Sequence, residues 1–357
     1  MSAPVLSRRA LNRATLARQL LLERAVLPAL DAVRHLVGMQ AQVPLNPYTG
    51  LWSRLAGFDP AELSQLLVDR KVVRTVVMRA TIHLVTAEDC LLLRPLTQEV
   101  LSKELARHPE FAPALRGVDL EPVLAYAREV FAESPRSTGQ LRAVLGARFP
   151  DIHAGALAYA CRCLLPLVQV PPRGVWGQAS QVAVTTAEAW LGRPLAERPS
   201  IDEVLLRYLG AFGPASVADA GTWSRLTGLR EVFERLRPQL VTFRDERGRE
   251  LFDLPDAPRP DPDTPAPARF LPEYDNVLLS HDDRARVTSV PFFAPGPVHG
   301  TVLSDGFVRA TWALDGAGLT VRHSGLDADA LAGVEAEGRR LLEFLGVAAG
   351  EVRLVPA

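Results

Sequence analysis

The chain has 357 residues, 48% hydrophobic and 23% charged, a composition typical of a soluble globular protein with roughly two to four small domains. No apolar run reaches the length of a membrane span, and arginines interrupt the N-terminal segment where a signal peptide needs a continuous apolar core. Cys90, Cys161 and Cys163 provide no disulfide framework, so we expect a cytoplasmic, reducing location.

The net charge of −1 is the sum of a basic first half and an acidic second half of the chain. Residues 1–200 carry 23 Lys+Arg and 17 Asp+Glu, whereas residues 201–357 carry 17 and 24. Nearly all the basic residues are arginine, whose guanidinium group binds phosphate bidentately and stacks on bases, so the first half predicts a polyanionic partner. The alternative is that the arginines reflect genome composition and solvated helix faces.

The apolar periodicity predicts one unit shape three times, in which two or more helices precede two short strands. The first unit has helices at 9–24, 28–38, 47–56 and 59–69, strands at 72–77 and 81–85, and a further helix at 88–106. The second has helices at 120–133, 138–147 and 153–165, and strands at 167–170 and 181–185. The third has helices at 201–212, 216–225 and 228–236, and strands at 240–244 and 250–254.

Helices followed by a β-hairpin are the plan of a winged helix, so we predict a mainly α, α+β protein with three tandem winged-helix units. A stiff, acidic segment with six prolines and three aspartates at 255–268 follows them. Beyond it, strands at 298–303, 307–312, 319–323 and 351–355 and a helix at 330–345 predict a β-rich module. The predicted domains are 1–115, 116–198, 199–256, a linker at 257–267, and the module at 268–357.

A pair of glutamines, Gln40 and Gln42, follows the predicted helix that ends at Gly38. Pro44 and Pro47 keep this segment extended, and in an extended segment residues two apart point the same way. Both amides are therefore expected to face one space. The alternative is a loop with two solvated glutamines.

Several stretches resemble the AlkZ/YcaQ family of winged-helix DNA glycosylases along nearly the whole chain. They are LSRRALNRATLARQ at 6–19, GMQAQVP at 38–44, MRATIHLV at 78–85, LRYLGAFGPASVADAGTWSRL at 206–226 and LPEYDNVLLSHDDRARV at 271–287. The resemblance identifies Gln40 and Gln42 as the catalytic pair of the branch that unhooks DNA interstrand crosslinks. It implies a monofunctional glycosylase that hydrolyses the N-glycosidic bond of N7-alkylpurines in double-stranded DNA, in base excision repair and self-resistance to a DNA-alkylating natural product.

Further residues are candidates for contact with DNA: Arg79, His83, Arg173, Trp176, Tyr274 and Arg284. Arg173 and Trp176 are expected at the tip of the second wing, unless the tryptophan packs back on its own domain. His83 alternates with apolar residues and has the alternative of a hydrogen-bonded sheet histidine. Tyr274 and its neighbours have the alternative of a structural turn.

Other chemistry has little support in the sequence. Cys161 and Cys163 diverge on a helix and Cys90 is distant, so we expect no metal site, and no phosphate-binding glycine loop predicts a nucleotide cofactor. Ser280-His281-Asp282 is interpreted as a loop, because members of a catalytic triad rarely adjoin in sequence. We expect a monomer without cofactors. The rival functions are a non-catalytic winged-helix DNA-binding protein or transcription regulator, and a protein-interaction scaffold.

Overall fold

The computed structural model describes residues 3–288, 298–316, 318–347 and 349–357, so small parts of the first and last predicted domains lie outside the described residues. The mixture of helices and strands confirms the predicted α+β class. The helices are α1 (Arg8–Arg18), α2 (Ala29–His35), α3 (Asn46–Arg54), α4 (Pro60–Val68), α5 (Ala87–Leu96), α6 (Gln98–Arg107), α7 (Phe111–Ala114), α8 (Glu121–Glu133), α9 (Thr138–Arg148), α10 (Ala154–Leu164), α11 (Ala187–Leu191), α12 (Ile201–Phe212), α13 (Val217–Ser224), α14 (Leu229–Leu236), α15 (Asn276–Leu279) and α16 (Ala328–Phe344). The strands are β1 (Val5–Leu6), β2 (Met39–Gln40), β3 (Val72–Val76), β4 (Ile82–Thr86), β5 (Arg136–Ser137), β6 (Leu167–Gln169), β7 (Ala183–Thr186), β8 (Val241–Asp245), β9 (Glu250–Asp253), β10 (Arg269–Leu271), β11 (Gly300–Ser304), β12 (Phe307–Asp315), β13 (Gly318–His323) and β14 (Glu351–Pro356).

Capping residues set several helix boundaries where the sequence predicts them. The Ser200 hydroxyl accepts from the Glu203 amide and Gly213 follows the last residue of α12, so the predicted bounds of this helix are confirmed. Ser137 begins α9 with a reciprocal bond to Gln140. Every helix in the described ranges is too short or too polar to cross a bilayer.

Two differences between the predicted and the observed helices have a clear local cause. α1 ends at Arg18 instead of continuing to 24, because Leu20 adopts a left-handed conformation with φ of 58°. The single helix predicted at 88–106 is two helices that meet at Thr97. Pro95 lies in the last turn of the first one, where the proline ring disfavours continuation.

The hairpins of the first two predicted units form one six-stranded sheet in the order β2-β4-β3-β6-β7-β5. The two hairpins meet where β3 and β6 pair antiparallel, with Arg74 opposite Gln169 and Thr75 opposite Val168. The glutamine pair therefore adjoins an edge of a sheet that both units share.

The other two sheets connect distant parts of the chain. β1 pairs in parallel with β8, so the N-terminus extends the hairpin of the third unit. The C-terminal module is a five-stranded sheet in the order β10 to β14, with α16 packed against it. An apolar core shared by α2–α4 and this sheet attaches the module to the first unit, and Trp52 stacks on Phe344 with 5.6 Å between ring centroids.

Much of the arginine excess is internal, which corrects the expectation that the basic first half simply presents a cationic surface. Arg18 is fully buried and pairs with Asp253, and Arg54 donates to both oxygens of Asp275 at 2.9 and 2.8 Å. The fully buried set comprises Arg13, Arg18, Arg54, Arg74 and Arg94. These guanidinium groups hold the chain's parts together and cannot bind phosphate.

Candidate active site

Gln40 ends β2, which begins at Met39 a few residues after α2 ends at His35. Gly38 makes this entry possible, because its φ is +90° and a Cβ there would lie 2.6 Å from Val85 Cγ1. Met39 pairs with Leu84 and Gln40 pairs with His83 across the antiparallel ladder. Gln40 and His83 therefore share one face of the sheet.

Gln40 is held at both its side chain and its backbone. It is 7% exposed, and its Oε1 accepts a hydrogen bond of 2.7 Å from Arg79 Nη2. Its backbone amide donates to Asn276 Oδ1 at 3.3 Å. Because arginine only donates, the Gln40 carbonyl must face Arg79 and its NH2 group must face away.

Gln42 is exposed and lies at the edge of a cleft of about 570 Å³. Its Oε1 accepts from the backbone amide of Ile82 at 3.4 Å. Both glutamine side chains therefore bond to residues of one short segment, 79–82. Their catalytic roles remain predictions.

His83 is a neutral, buried histidine and not an exposed DNA-contact group, which corrects that expectation. The side chain is only 1% exposed; Nδ1 donates to the Thr81 carbonyl at 3.0 Å, and Nε2 accepts from Arg79 at 3.1 Å. Burial lowers the pKa of His83 to about 3, and the neighbouring charge of Arg79 adds to this shift. The alternative interpretation, a hydrogen-bonded sheet histidine, is the one that the geometry supports.

Arg79 connects Gln40 to other parts of the molecule. Its backbone is left-handed with φ of 57°, a conformation that non-glycine residues rarely adopt outside constrained sites. Its Nη1 donates to the Trp223 carbonyl at 2.9 Å. Burial lowers the pKa of Arg79 to about 10, and the charges of Arg225 and Arg284 contribute to the shift. Three arginines from different parts of the sequence are thus close enough to interact electrostatically beside Gln40.

Arg173 and Trp176 do not occupy the exposed wing tip that the sequence predicts. Trp176 packs against Tyr48 and Phe344, with ring centroids at 4.9 and 5.4 Å, and its backbone amide donates to Ser64 Oγ. The apolar indole therefore joins the core between the first unit and the C-terminal module. Arg173 is half-buried and donates to the Ser180 carbonyl of its own loop at 2.9 Å, so the side chain does not project freely.

The segment before α15 supplies a functional candidate that the sequence analysis missed. Asn276 Nδ2 donates to the Gly38 carbonyl at 2.7 Å, while Asn276 Oδ1 receives the Gln40 amide. This one side chain thus holds the backbone on both sides of Met39. The sequence did offer one indication, because Asn276 lies within the stretch at 271–287 that resembles the AlkZ/YcaQ family. Tyr274, half-buried with φ of 62°, packs against an apolar cluster, and its contact with DNA remains a prediction.

The remaining motifs show no catalytic geometry. His281 Nε2 bonds to the Phe212 carbonyl and Ser280 Oγ donates to the Asn276 carbonyl, in agreement with the interpretation of this segment as a loop. Burial raises the pKa of both Cys90 and Cys161 to about 12, so these thiols are protonated. Within the described ranges, no three His, Cys, Asp or Glu side chains converge as metal ligands.

Comparison with known proteins gives a consistent result. Residues 33–344 match the family model of the DNA glycosylase AlkZ-like family. An interstrand DNA cross-link repair glycosylase of Streptomyces sahachiroi is 27% identical over 324 residues, covering 83% of this chain and 85% of that protein. The solved structure of the Streptomyces sahachiroi DNA glycosylase AlkZ superposes with a TM-score of 0.78 at 22% identity, covering 98% of this chain and all of that one. The resemblance seen in the sequence is confirmed: the chain belongs to the AlkZ-like DNA glycosylase family.

Proposed function

We propose that this glycosylase hydrolyses the N-glycosidic bond of N7-alkylated purines, including those in interstrand crosslinks, and protects its host from a DNA-alkylating natural product. The Streptomyces sahachiroi relative is named for cross-link repair, which supports the crosslink part of the proposal. The site assignment rests on one observation: Arg79 holds the side-chain amide of Gln40, and Gln42 bonds to the same short segment of the chain.

The proposed architecture is three tandem winged helices with a C-terminal module, divided at 1–115, 116–198, 199–256 and 268–357. In the third unit, α12, α13 and α14 lead into the β8–β9 hairpin, the order that a winged helix requires. In the second, α8, α9 and α10 lead into β6 and β7. The pairing of β3 with β6 gives the first two units a common sheet.

An amide pair is chemically sufficient for this substrate class. An N7-alkylpurine carries a positive charge and leaves as a neutral base, so the departing base needs little general-acid assistance. The demanding parts are the oxocarbenium-like sugar and the attacking water. Each glutamine Oε1 has a second lone pair beyond its protein hydrogen bond and can accept from that water or face the developing positive charge.

The mechanism is proposed to be monofunctional. A lyase that forms a Schiff base needs an amine nucleophile. The chain's lysines are Lys71, which is exposed after α4, and Lys103, which pairs with Glu99 on α6. The described hydrogen bonds of the glutamine pair involve neither of them. Water is therefore the proposed nucleophile.

The proposed site is open, because a crosslinked nucleotide is tied to the opposite strand and cannot swing fully out of the duplex. The exposed position of Gln42 at a cleft edge suits such a substrate. We assign phosphate contacts to the arginines beside Gln40, namely Arg79, Arg225 and Arg284. The positive charges of Arg225 and Arg284 both contribute to the lowered pKa of Arg79, so both arginines lie close to Arg79.

The test is release of base from duplex DNA that contains N7-methylguanine, measured under single-turnover conditions for the wild type, Gln40→Ala and Gln42→Ala. Both variants should lose most excision while DNA affinity stays within a few-fold, because neutral amides contribute little to phosphate binding. Gln65→Ala is the matched control, since Gln65 is an exposed helix residue whose amide bonds to Asp69 on the surface. A wild-type protein that binds this DNA but releases no base from it or from crosslinked DNA would support the non-catalytic rival.

A further inference from the structure

Arg74 is a buried arginine that contacts the backbone between the two glutamines. It lies on β3 opposite Leu84 of β4, and β4 in turn pairs with β2, which carries Gln40. Its side chain reaches past β4, and Nη2 donates to the Ala41 carbonyl at 2.9 Å. That carbonyl belongs to the peptide bond that joins Ala41 to Gln42. The guanidinium therefore sets the orientation of the peptide at which Gln42 begins.

The second predicted unit holds the rest of the Arg74 side chain. Nε donates to Gln169 Oε1 on β6 at 3.2 Å. A Cβ at Gly174 would lie 2.9 Å from Arg74 Cδ and 3.2 Å from Nη1, so the packed side chain leaves room only for glycine. The Tyr48 hydroxyl fixes this loop by donating to the Gly174 carbonyl at 2.8 Å. Arg74 thus has little freedom to move.

The buried charge of Arg74 has no acidic partner to offset it. The residue is 2% exposed, and its described hydrogen bonds go to an amide oxygen and a backbone carbonyl, not to a carboxylate. Nη1 is buried without a hydrogen-bond partner among the described residues. Burial lowers the pKa of Arg74 to about 10, and the neighbouring charge of Arg173 adds to this shift. An apolar side chain of similar volume would avoid the cost of burying a charge, so stability alone does not account for an arginine here.

The chain leaves the sheet at the residue that Arg74 holds. The Ala41 amide donates to the Ile82 carbonyl at 2.8 Å, which continues the pairing of β2 with β4. Gln42 is exposed, and its side chain accepts a long hydrogen bond of 3.4 Å from the Ile82 amide. This bond alone would hold the side chain weakly. The contact of Arg74 with Ala41 therefore fixes the backbone from which Gln42 projects.

We propose that Arg74 is a positioning residue for Gln42: its bond to the Ala41 carbonyl holds the adjoining peptide so that the Gln42 amide faces the glycosidic bond. The proposal rests on the proposed glycosylase function of the glutamine pair. It gives Gln42 a support comparable to the one that Arg79 gives Gln40. Because the Arg74 guanidinium is buried, it acts through Gln42 and touches neither the DNA backbone nor the reacting atoms.

The test compares Arg74→Met with Arg94→Met in single-turnover release of N7-methylguanine. Arg94 is the matched control, because it is equally buried and donates to the carbonyls of Cys163 and Leu165, away from the motif. Arg74→Met should lower the rate at saturating enzyme about ten- to a hundredfold, since a misplacement of about 1 Å can cost on the order of a hundredfold. The affinity for DNA should stay within a few-fold. Arg94→Met should keep the wild-type rate although its unfolding midpoint falls.

A second readout does not depend on catalysis. In protein labelled with ¹⁵N-glutamine, the backbone and side-chain amide resonances of Gln42 should shift in Arg74→Met, whereas those of the exposed Gln65 on α4 should not. Arg74→Lys should behave like Arg74→Met in both measurements, because a single ammonium lacks the planar fork that bonds to Ala41 and Gln169 together. The lysine variant keeps the charge and decides the matter if the methionine variant does not fold.

The assignment would be overturned by a wild-type rate in folded Arg74→Met or by an equal loss of rate in Arg94→Met. Gln42 resonances that respond to neither variant of Arg74 would overturn it as well. If the wild-type protein releases no base, the glycosylase proposal fails, and the Gln42 resonances then decide separately whether Arg74 positions this side chain.

Discussion

Arg79 is the residue whose replacement best separates positioning of Gln40 from binding of DNA. Its guanidinium donates to Gln40 Oε1 at 2.7 Å, to the Trp223 carbonyl at 2.9 Å and to His83 Nε2 at 3.1 Å. A lysine at this position would keep the charge but not the planar fork that reaches several acceptors at once. Arg79→Lys is therefore the informative perturbation.

The expected loss follows from the hydrogen bond to Gln40. A hydrogen bond with a charged partner contributes about 1.5–3 kcal/mol, and each 1.4 kcal/mol in a barrier is about tenfold in rate, so excision should fall by about ten- to a hundredfold. The affinity for DNA should change little, because the positive charge remains. Loss of a simple phosphate contact would have the reverse effect: it would weaken the affinity for DNA and leave the rate of excision at saturating enzyme unchanged.

The assay is single-turnover release of N7-methylguanine, with affinity measured by fluorescence anisotropy across a salt series. Arg225→Ala is the control, since Arg225 is an exposed neighbour of Arg79. It should weaken binding and lower the salt slope by about one without changing the rate at saturating enzyme. If Arg79→Lys excised at the wild-type rate while Arg79→Met merely lost affinity, Arg79 would be a phosphate ligand only and would not position Gln40.

Three further predictions concern charge, pH and the backbone of the motif. DNA affinity should fall steeply between about 50 and 200 mM salt, through counterion release from the phosphates. Thermal stability should fall on acidification from about pH 7 to pH 5, because unfolded His83 titrates near 6.5 whereas the pKa of the folded one is about 3. The loss due to this residue at about pH 5 is on the order of 2 kcal/mol, and His83→Gln should shrink the pH dependence of the unfolding midpoint. Asn276→Ala should cost about 2–4 kcal/mol of stability and also reduce excision, because two buried backbone groups of the motif lose their partner.

Each of these three predictions has an outcome that would contradict it. Affinity that is flat across the salt series would mean that phosphates do not face the arginines. For His83, an unfolding midpoint that changes with pH equally in the wild type and the variant would exclude it as a source of the acid sensitivity. Asn46→Ala is the control for Asn276, since the equally buried Asn46 bonds to the carbonyl of Glu273 and not to the motif. Excision by folded Asn276→Ala at the rate of the Asn46 variant would contradict a positioning role.

Local signals in the sequence predicted much of the fold. α12 has its predicted bounds because Ser200 caps it and Gly213 follows it, both within one turn of the helix. The split between α5 and α6 was missed although Pro95 marks it, since apolar periodicity continues across the break. β1 was unpredictable for a different reason. It is two residues long and exists only because it pairs in parallel with β8 near the other end of the chain.

The site could be predicted only in part, and the predictions that were wrong share one cause. Residue type and spacing indicated Gln40 and Gln42, but they do not report which neighbours surround a side chain. Trp176 was expected at the exposed tip of the second wing, or packed on its own domain, yet aromatic rings from distant parts of the chain cover it. His83 was placed in contact with DNA, yet it is buried against Arg79. Tertiary contacts determine the burial of both side chains.

The same dependence on distant contacts explains why the glutamine pair has a defined geometry at all. β2 is a two-residue edge strand, and its pairing with β4 alone would hold it weakly. Asn276, which comes from the C-terminal module, bonds to the backbone at Gly38 and Gln40. Arg79, anchored to the third unit through the Trp223 carbonyl, fixes the Gln40 side chain. The motif is therefore ordered only when three parts of the chain are packed together, so damage to the C-terminal module should impair excision although the module contributes neither glutamine.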